Sequence, residues 1–299
     1  MTTDRQKPAA YFIGGTALTA PPLSPGLYVV STPIGNLRDI TLRALETLAA
    51  ADVVLCEDTR LSARLLDHYG IKTPRKALHE HNERARADSI AEDLAAGRSI
   101  ALISDAGTPL LSDPGFPLVR AVREKGLDVF AVPGPSALLA ALATAGLPTD
   151  RFSFIGFLPP KAGAREKALL PLKARGETLV FYESPRRIAA SLESMVEVFG
   201  PDREAAVALE LTKRFERLHR GPLSDLAAEF AAVETKGEAV IVVSGAGEPD
   251  AVAEEDWQAA LTEALADTPL REAVDAVTAK FGLKRKDVYT AALALKADD

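Results

Sequence analysis

The stretch SIALISDAGTPLLSDPG, from Ser99 to Gly115, decides how the chain is expected to fold. Its first part, Ile100 to Ile103, is a short apolar run of the kind that forms a strand buried on both faces. Asp105 follows where that strand would end, and Asp113 with Pro114 has the form of a helix N-cap followed by proline in the first turn. Ligands of open α/β sheets bind at the carboxyl ends of the strands. The stretch therefore predicts a strand, a ligand-binding loop and a helix start in succession.

The same succession recurs on both sides of this stretch. Upstream, the strands LYVVS and DVVLC each run into a turn or an acidic segment, and a helix is predicted from about Glu83 to Ala96. Downstream, the strand LDVFAV is followed by Pro133–Ala137, which begins an Ala/Leu-rich helix ending at Gly146. Repeated strand, loop and helix units predict a mainly parallel α/β sheet with its loops at the carboxyl edge.

The second half of the chain changes character. It contains the strand patterns FSFIGF, ETLVFYE, AVALELT and EAVIVVSG, and beyond Gly245–Pro249 only helical periodicity remains, with one helix between Thr268 and Gly282. We predict a flexible N-terminal tail, two α/β domains and a small C-terminal helical, helix-turn-helix-like module. Their respective bounds are 1–25, 26–134, 135–247 and 250–299.

Composition narrows the class of protein. The chain has 299 residues, of which 47% are apolar and 26% charged, enough for an ordinary core. The single cysteine, Cys56, lies in an apolar run and indicates a packed thiol in a reducing compartment. Neither an eighteen-residue apolar run nor a basic leader followed by an apolar segment occurs, so we expect a cytoplasmic protein without a membrane partner.

Charge and motifs exclude several activities. The net charge of −7 is not typical of a nucleic-acid binder, although local clusters of Lys and Arg can contact phosphates or simply form solvated helix faces. The sequence has no Walker loop, no GxGxxG after a strand, no GxSxG and no Cys/His spacing for zinc, and we predict no metal. A cleft of Pro-, Gly- and acid-rich loops remains, which suits a ligand with an adenine edge, a ribose diol and a zwitterionic tail.

Seven motifs, together covering about Gly26 to Gly245, carry a resemblance to a known family. In chain order they are Thr32–Leu37, Glu57–Arg60, Glu80–Glu83, Ser104–Pro109, Ser112–Gly115, Pro133–Ala137 and Phe181–Pro185. The sequence resembles the ribosomal RNA small subunit methyltransferase I family of the tetrapyrrole methylase superfamily. This resemblance implies a two-domain tetrapyrrole methylase-like α/β fold, with S-adenosyl-L-methionine in the cleft between the domains, and a homodimer.

The resemblance also implies an activity and a set of site residues. The activity is methylation of the ribose 2′-hydroxyl of a cytidine in the decoding region of 16S rRNA, within the small ribosomal subunit. The implied cofactor-binding residues are Pro33, Ser104, Asp105, Ala106, Gly107, Leu110, Ser136, Ala137, Phe181, Tyr182, Leu211 and Ala239. The implied RNA-binding residues are Lys161, Arg165, Arg186, Arg187 and Lys213.

Methyl transfer to a hydroxyl benefits from a base or a positive group near the developing alkoxide. Glu57 or Asp58 with Arg60 is the first candidate pair, and a structural salt-bridge network accounts equally well for these residues. The other candidates are His81, Glu183 and Lys213. Two alternative functions stay open: a tetrapyrrole C-methyltransferase of the uroporphyrinogen or precorrin type, and a non-catalytic RNA-binding assembly factor.

Overall fold

A computed structural model describes residues 9–233, 235–247 and 254–297. The chain divides into two compact units, which meet in sequence between Ser244 and Gly245. The first unit contains a hairpin and two five-stranded sheets, and the second is helical. The unit boundary falls close to the predicted linker, whereas the predicted division of the first unit at residue 134 stays a prediction because both sheets belong to one unit.

The hairpin corrects the expectation of a flexible tail for part of residues 1–25. Strands β1 (Ala10–Ile13) and β2 (Thr16–Thr19) pair antiparallel. Tyr11 of β1 is only 4% exposed and belongs to the core on one face of the first sheet. Burial of this one aromatic ring holds a segment whose sequence has no sustained periodicity, and residues 1–8 lie outside the described part.

The first sheet is entirely parallel and has the order β5-β4-β6-β3-β7. Its strands are β3 (Gly26–Val30), β4 (Val53–Cys56), β5 (Arg75–Ala77), β6 (Ser99–Leu102) and β7 (Val129–Val132). Its helices are α1 (Leu42–Ala50), α2 (Thr59–His68), α3 (Glu83–Ala95) and α4 (Phe116–Glu124). Every residue of β6, the middle strand, is buried, as its apolar run predicts. Helices cover both faces, so the carboxyl edge is left open for a ligand.

The start of α4 differs from the prediction. The N-cap is Gly115, with φ of 127°, and not Asp113, because the loop before it turns through left-handed residues at Leu110 and Ser112. The backbone N–H of Gly115 donates to the buried carboxylate of Glu83 at 2.6 Å. Asp113 therefore lies in the loop of residues 103–115, which we call the β6–α4 loop.

The second sheet is mixed and has the order β11-β10-β12-β9-β8. Its strands are β8 (Phe152–Phe157), β9 (Thr178–Glu183), β10 (Glu204–Leu209), β11 (Arg217–Pro222) and β12 (Ala239–Val243). Only β8 and β9 are parallel. Its helices are α5 (Ala137–Ala145) on one face, and α6 (Ala162–Leu169), α7 (Ile188–Phe199) and α8 (Leu223–Ala231) on the other. Strand β11 was not predicted, since its polar sequence RLHRGP forms an exposed edge.

The described part of the second unit contains three helices. They are α9 (Glu254–Asp267), α10 (Leu270–Phe281) and α11 (Arg285–Ala297). Trp257, Leu261, Val274 and Val288 form its core, and Gly282 ends α10 in the left-handed conformation that the sequence predicted. Throughout the described residues, no helix is long and apolar enough to cross a membrane.

Candidate active site

A cavity of about 390 Å³ lies within the first unit, lined by loops that follow strands of the first sheet and by residues of the second sheet. One wall is the β6–α4 loop, from Asp105 to Asp113, and the other is formed by strands β9, β10 and β12. The small side chains of Ala208 and Ala239 leave space in the cavity beside the strands, and Tyr182 adds an aromatic surface. Cavities of about 300–1,000 Å³ are typical of small-molecule and cofactor sites. The cavity thus lies at the carboxyl edge of the first sheet, where the strand-end loops were predicted to form a cleft.

Hydrogen bonds fix the β6–α4 loop against the end of β3. Thr32 and Gly107 exchange two backbone hydrogen bonds, of 2.9 and 3.0 Å, and the hydroxyls of Ser31 and Thr108 lie 3.0 Å apart. Gly107 has φ of 81°, in the left-handed region that favours glycine. A side chain there would also crowd Ile34. The loop is thus held rigidly in a conformation that brings backbone groups to the cavity surface.

Acidic side chains gather at the carboxyl edge of the first sheet. Burial raises the pKa of Asp113 to about 6, a hydrogen bond from Ser104 opposes the rise, and the charges of Glu57 and Asp105 add to it. Burial also raises the pKa of Glu57, with a further contribution from Asp105. The backbone N–H of Asp58 donates to Asp105 at 3.1 Å, which joins the ends of β4 and β6. Asp113 and Asp105 line the cavity itself.

The first catalytic candidates are placed differently from one another. Asp58 caps α2 and accepts two hydrogen bonds from the guanidinium of Arg60, which lowers the pKa of Asp58 to about 2. The side chain of Arg60 is 89% exposed, and neither residue lines the cavity. This arrangement favours the salt-bridge interpretation for Asp58 and Arg60. Glu57 keeps an environment that suits proton transfer, although it too lies outside the cavity lining.

Glu183 lies at the end of β9 and is only 3% exposed. Its carboxylate accepts hydrogen bonds from the backbone N–H of Ser184 at 2.8 Å, from the hydroxyl of Ser191 at 2.6 Å and from Arg187 at 3.3 Å. These three donors occupy the carboxylate. Glu183 thereby fixes the turn that leads into α7, next to the cavity that it lines.

Apart from Phe181, the predicted cofactor-binding residues fall into two groups. Those that line the cavity are Asp105, Ala106, Gly107, Ala137, Tyr182, Leu211 and Ala239. Four others do not line the cavity but support residues that do. The hydroxyl of Ser104 donates to the carbonyls of Ala106 and Gly107, and Leu110 packs into the first-sheet core. Ser136 caps α5, and Pro33 precedes the lining residue Ile34. The ring of Phe181 is fully buried on the opposite face of its strand, so it cannot contact a ligand in the cavity.

The structure also separates the predicted RNA-binding residues. Arg165 is 4% exposed and donates to the hydroxyl of Ser194 at 3.0 Å, so its assignment to RNA was wrong. Arg187 is bound to Glu183, and Lys213 bridges two carboxylates, those of Glu210 at 3.0 Å and Glu238 at 3.2 Å.

Lys161 and Arg186 are exposed, so both can reach a phosphate.

Several residues of the cavity wall were not predicted, among them Asp113 and Phe157. Asp113 belongs to a recognised motif, but its Asp-Pro sequence was interpreted as a helix cap. Phe157 reaches the wall through an irregularity in β8 beside Gly156; a glycine inside a strand can mark a bulge, but FSFIGF was interpreted only as a strand.

Comparison with known proteins identifies the family. The family model described as Tetrapyrrole (Corrin/Porphyrin) Methylases matches residues 26–227, and that described as RsmI C-terminal HTH domain matches residues 251–296. A protein of Mesorhizobium japonicum named "Ribosomal RNA small subunit methyltransferase I" is 50% identical over 285 residues, which cover 95% of this chain and 97% of the relative. The chain belongs to the ribosomal RNA small subunit methyltransferase I family. A Vibrio cholerae protein of the same name is 46% identical and covers 91% of this chain and 95% of its own length.

Solved structures agree on the fold of the family. Uroporphyrin-III-C-methyltransferase from Thermus thermophilus superposes with a TM-score of 0.53 at 24% identity, covering 73% of this chain and 93% of that chain. The cobalt precorrin-4 methyltransferase CbiF gives a TM-score of 0.52 at 18% identity, covering 73% of this chain and 94% of that chain. The predicted tetrapyrrole methylase-like α/β fold and the family resemblance are confirmed, and the helical module matches the family's C-terminal domain.

S-adenosylmethionine is the methyl donor of this family, and the cavity fits it. Ile34, Leu211 and Val240 offer apolar walls for an adenine ring. Asp105 offers a carboxylate complementary to the positive charge of the cofactor. A site with mainly apolar walls and a few placed polar groups is what such a ligand requires.

Proposed function

We propose that this member of the family methylates the ribose 2′-hydroxyl of a cytidine in the decoding region of 16S rRNA. The observation that carries the proposal is the carboxylate-lined cavity between the sheets, in a chain that matches small-subunit rRNA methyltransferases over nearly its whole length. The 50% identity to such a relative favours RNA over a tetrapyrrole, since the tetrapyrrole methyltransferases among the solved neighbours share 24% identity or less with the chain.

The residues of the chain supply orientation and proton transfer. When bound, S-adenosylmethionine supplies an electrophilic methyl group. The β6–α4 loop and the strand wall hold the reactants in line and exclude water, which accounts for much of the acceleration in such reactions. A ribose hydroxyl must also lose its proton, and a base with a pKa near the working pH does this best.

Asp113 is the best-placed proton acceptor among the described residues. It lines the cavity, and its pKa of about 6 leaves it mostly ionised at neutral pH. The charge of Glu57 contributes to the raised pKa of Asp113. Asp58 is a weaker base, because its hydrogen bonds and ion pair with Arg60 lower its pKa to about 2, far below the working pH.

Recognition of RNA falls to exposed basic residues beside the cavity. Arg186 directly follows the lining residue Pro185, and Lys161 lies four residues after Phe157. Because the net charge of the protein is −7, its overall electrostatic field repels the phosphates that these basic residues would contact. An assembled small subunit, which presents its target in a fixed shape, is therefore expected to be methylated faster than bare 16S rRNA. Equal initial rates on the two substrates would contradict this expectation.

The proposal is tested by offering labelled S-adenosylmethionine with two acceptors in parallel. One is the small ribosomal subunit from cells that lack the modification, and the other is a uroporphyrinogen-type tetrapyrrole. We expect label in the subunit alone. Label in the tetrapyrrole alone would replace the proposal by the C-methyltransferase alternative. Tight cofactor binding without transfer to either acceptor would favour an assembly factor.

The proposed assembly is a homodimer, as the family resemblance implies, and the proposed location is the cytoplasm, as the composition of the sequence predicts. Sedimentation equilibrium of the purified chain tests the dimer, and a monomer at micromolar concentration would contradict it.

A further inference from the structure

An irregularity in strand β8 turns Phe157 onto the cavity face of the second sheet. Side chains alternate between the faces of a strand, and Phe154 packs on the α5 face whereas Ile155 packs on the α7 face. Unbroken alternation would place Phe157 on the same face as Ile155. The register with β9 instead shifts between Phe154 and Gly156, so that Phe157 pairs with Tyr182 on the cavity face.

The bulge at Gly156 brings Phe157 to the edge of the cavity. Gly156 adopts φ of 76°, which favours glycine, and a Cβ there would lie 3.1 Å from the hydroxyl of Ser112 across the cavity edge. The bulge leaves the ring of Phe157 57% exposed, in edge contact with Tyr182 at 5.7 Å between ring centroids. Bulges are uncommon in parallel pairs, and they occur beside active sites, where they redirect a side chain. An aromatic ring turned into water beside a cavity is available to a ligand.

The cavity is long enough for two ligand groups. Its strand wall runs from Phe157 on β8 through Tyr182 on β9 and Ala239 on β12 to Ala208 on β10. Neighbouring strands lie about 4.8 Å apart, so the wall spans about 14 Å. Ala208 and Ala239 leave space for the cofactor at one end, and the exposed ring stands at the other.

We propose that Phe157 is the surface on which the base of the target nucleotide stacks during methylation. This inference rests on the proposed function. A nucleotide that enters a cavity must leave its stack, and aromatic side chains commonly replace the lost stacking partner. The exposed cations Lys161 and Arg186, close in sequence to wall residues, can hold the flanking phosphates.

Substitutions at Phe157 separate stacking from cofactor binding and from simple apolar contact. The variants are Phe157→Ala, Phe157→Leu and Phe157→Tyr. The matched control is Phe152→Ala, because Phe152 begins the same strand, is 40% exposed and does not line the cavity. Each variant is measured for kcat/KM on small subunits that lack the modification, for S-adenosylhomocysteine affinity by calorimetry and for melting temperature.

We expect Phe157→Ala to lower kcat/KM between about fivefold and about a hundredfold, the range of one lost base–aromatic stack. Phe157→Leu should lower it similarly and Phe157→Tyr should restore it, while S-adenosylhomocysteine affinity and the melting temperature stay near wild type. Phe152→Ala should match wild type in all three measurements.

Three results would overturn the inference while leaving the proposed function intact. They are wild-type kcat/KM in Phe157→Ala, full rescue by Phe157→Leu, and a loss of S-adenosylhomocysteine affinity as large as the loss of kcat/KM. Failure of the wild-type protein to methylate subunits would overturn both, and that result is read from the wild type alone.

Discussion

Replacing Asp113 by Asn should make the protein more stable and less active at the same time. The pKa of the Asp113 carboxyl rises from 3.8 in the unfolded chain to about 6 in the folded chain. Ionisation of this carboxyl therefore destabilises the folded chain by at most about 3 kcal/mol. Asn has nearly the same shape and no charge to desolvate. We therefore expect Asp113→Asn to raise the free energy of unfolding at pH 8 by about 1–3 kcal/mol.

The sign of this effect depends on pH. Below about pH 3 the carboxyl of Asp113 is protonated in both the folded and the unfolded chain, so the variant and the wild type should be equally stable. As the pH rises, the unfolded chain loses the proton first, and the wild type loses stability until the folded carboxyl also ionises, near pH 6. The stability difference should thus grow between about pH 3 and about pH 6 and stay constant above it.

Activity should change in the opposite direction. An amide cannot accept the hydroxyl proton, so Asp113→Asn should lower kcat on small subunits by about 10²- to 10⁴-fold. Wild-type activity should fall as the pH drops through about 6, while the residual activity of the variant should not follow that curve. Asp93→Asn is the control, since Asp93 lies on α3, forms an ion pair with Arg98 and does not line the cavity.

The assays are urea unfolding at several pH values and labelled-methyl transfer between pH 5.5 and 8.5. Wild-type kcat in Asp113→Asn at pH 8 would refute the role of Asp113 as proton acceptor. Lower stability of the variant at pH 8 would refute the electrostatic argument, because it would mean that the native carboxylate is stabilised by its surroundings.

Two further predictions concern residues that hold the scaffold. Arg165→Ala should lower the free energy of unfolding by about 2–4 kcal/mol, because it removes a buried side chain and leaves Ser194 without its donor, and it should leave KM for small subunits unchanged. A raised KM at full stability would return Arg165 to the RNA interface. Glu83→Ala leaves the buried N–H of Gly115 without its acceptor, so urea unfolding should show a loss of about 1–3 kcal/mol; an unchanged midpoint would contradict this.

The parallel sheet could be predicted because buried strands carry their own pattern. The apolar runs of β3, β4 and β6 each end in a turn cluster, and α5 is bounded by Ser136 and Gly146, as its sequence indicates. Because the carboxyl ends of parallel strands lie at the same edge of a sheet, the order of the strands along the chain then predicts that their loops lie close together. Asp105 and Gly107 are found at this edge.

Other features depend on contacts that are distant in sequence. Strand β11 is polar because it is an edge, so it lacks the apolar signal. Arg165 belongs to a cluster of basic residues in the sequence. In the structure its side chain is buried and donates a hydrogen bond to Ser194 on a neighbouring helix.

The site itself is only partly visible in the sequence. The resemblance locates its motifs, but the left-handed residues Leu110 and Ser112 decide that Asp113 lies in a loop and not at a helix cap. The position of Phe157 depends on the register between β8 and β9, which is set by tertiary packing.

The most direct test of the account is to locate the transferred methyl group. Small subunits lacking the modification are labelled by the wild-type protein, the 16S rRNA is digested to nucleosides, and the labelled nucleoside is identified by mass spectrometry. The account predicts a single 2′-O-methylcytidine from the decoding region. Label on a base carbon or nitrogen, or on a nucleoside other than cytidine, would contradict it.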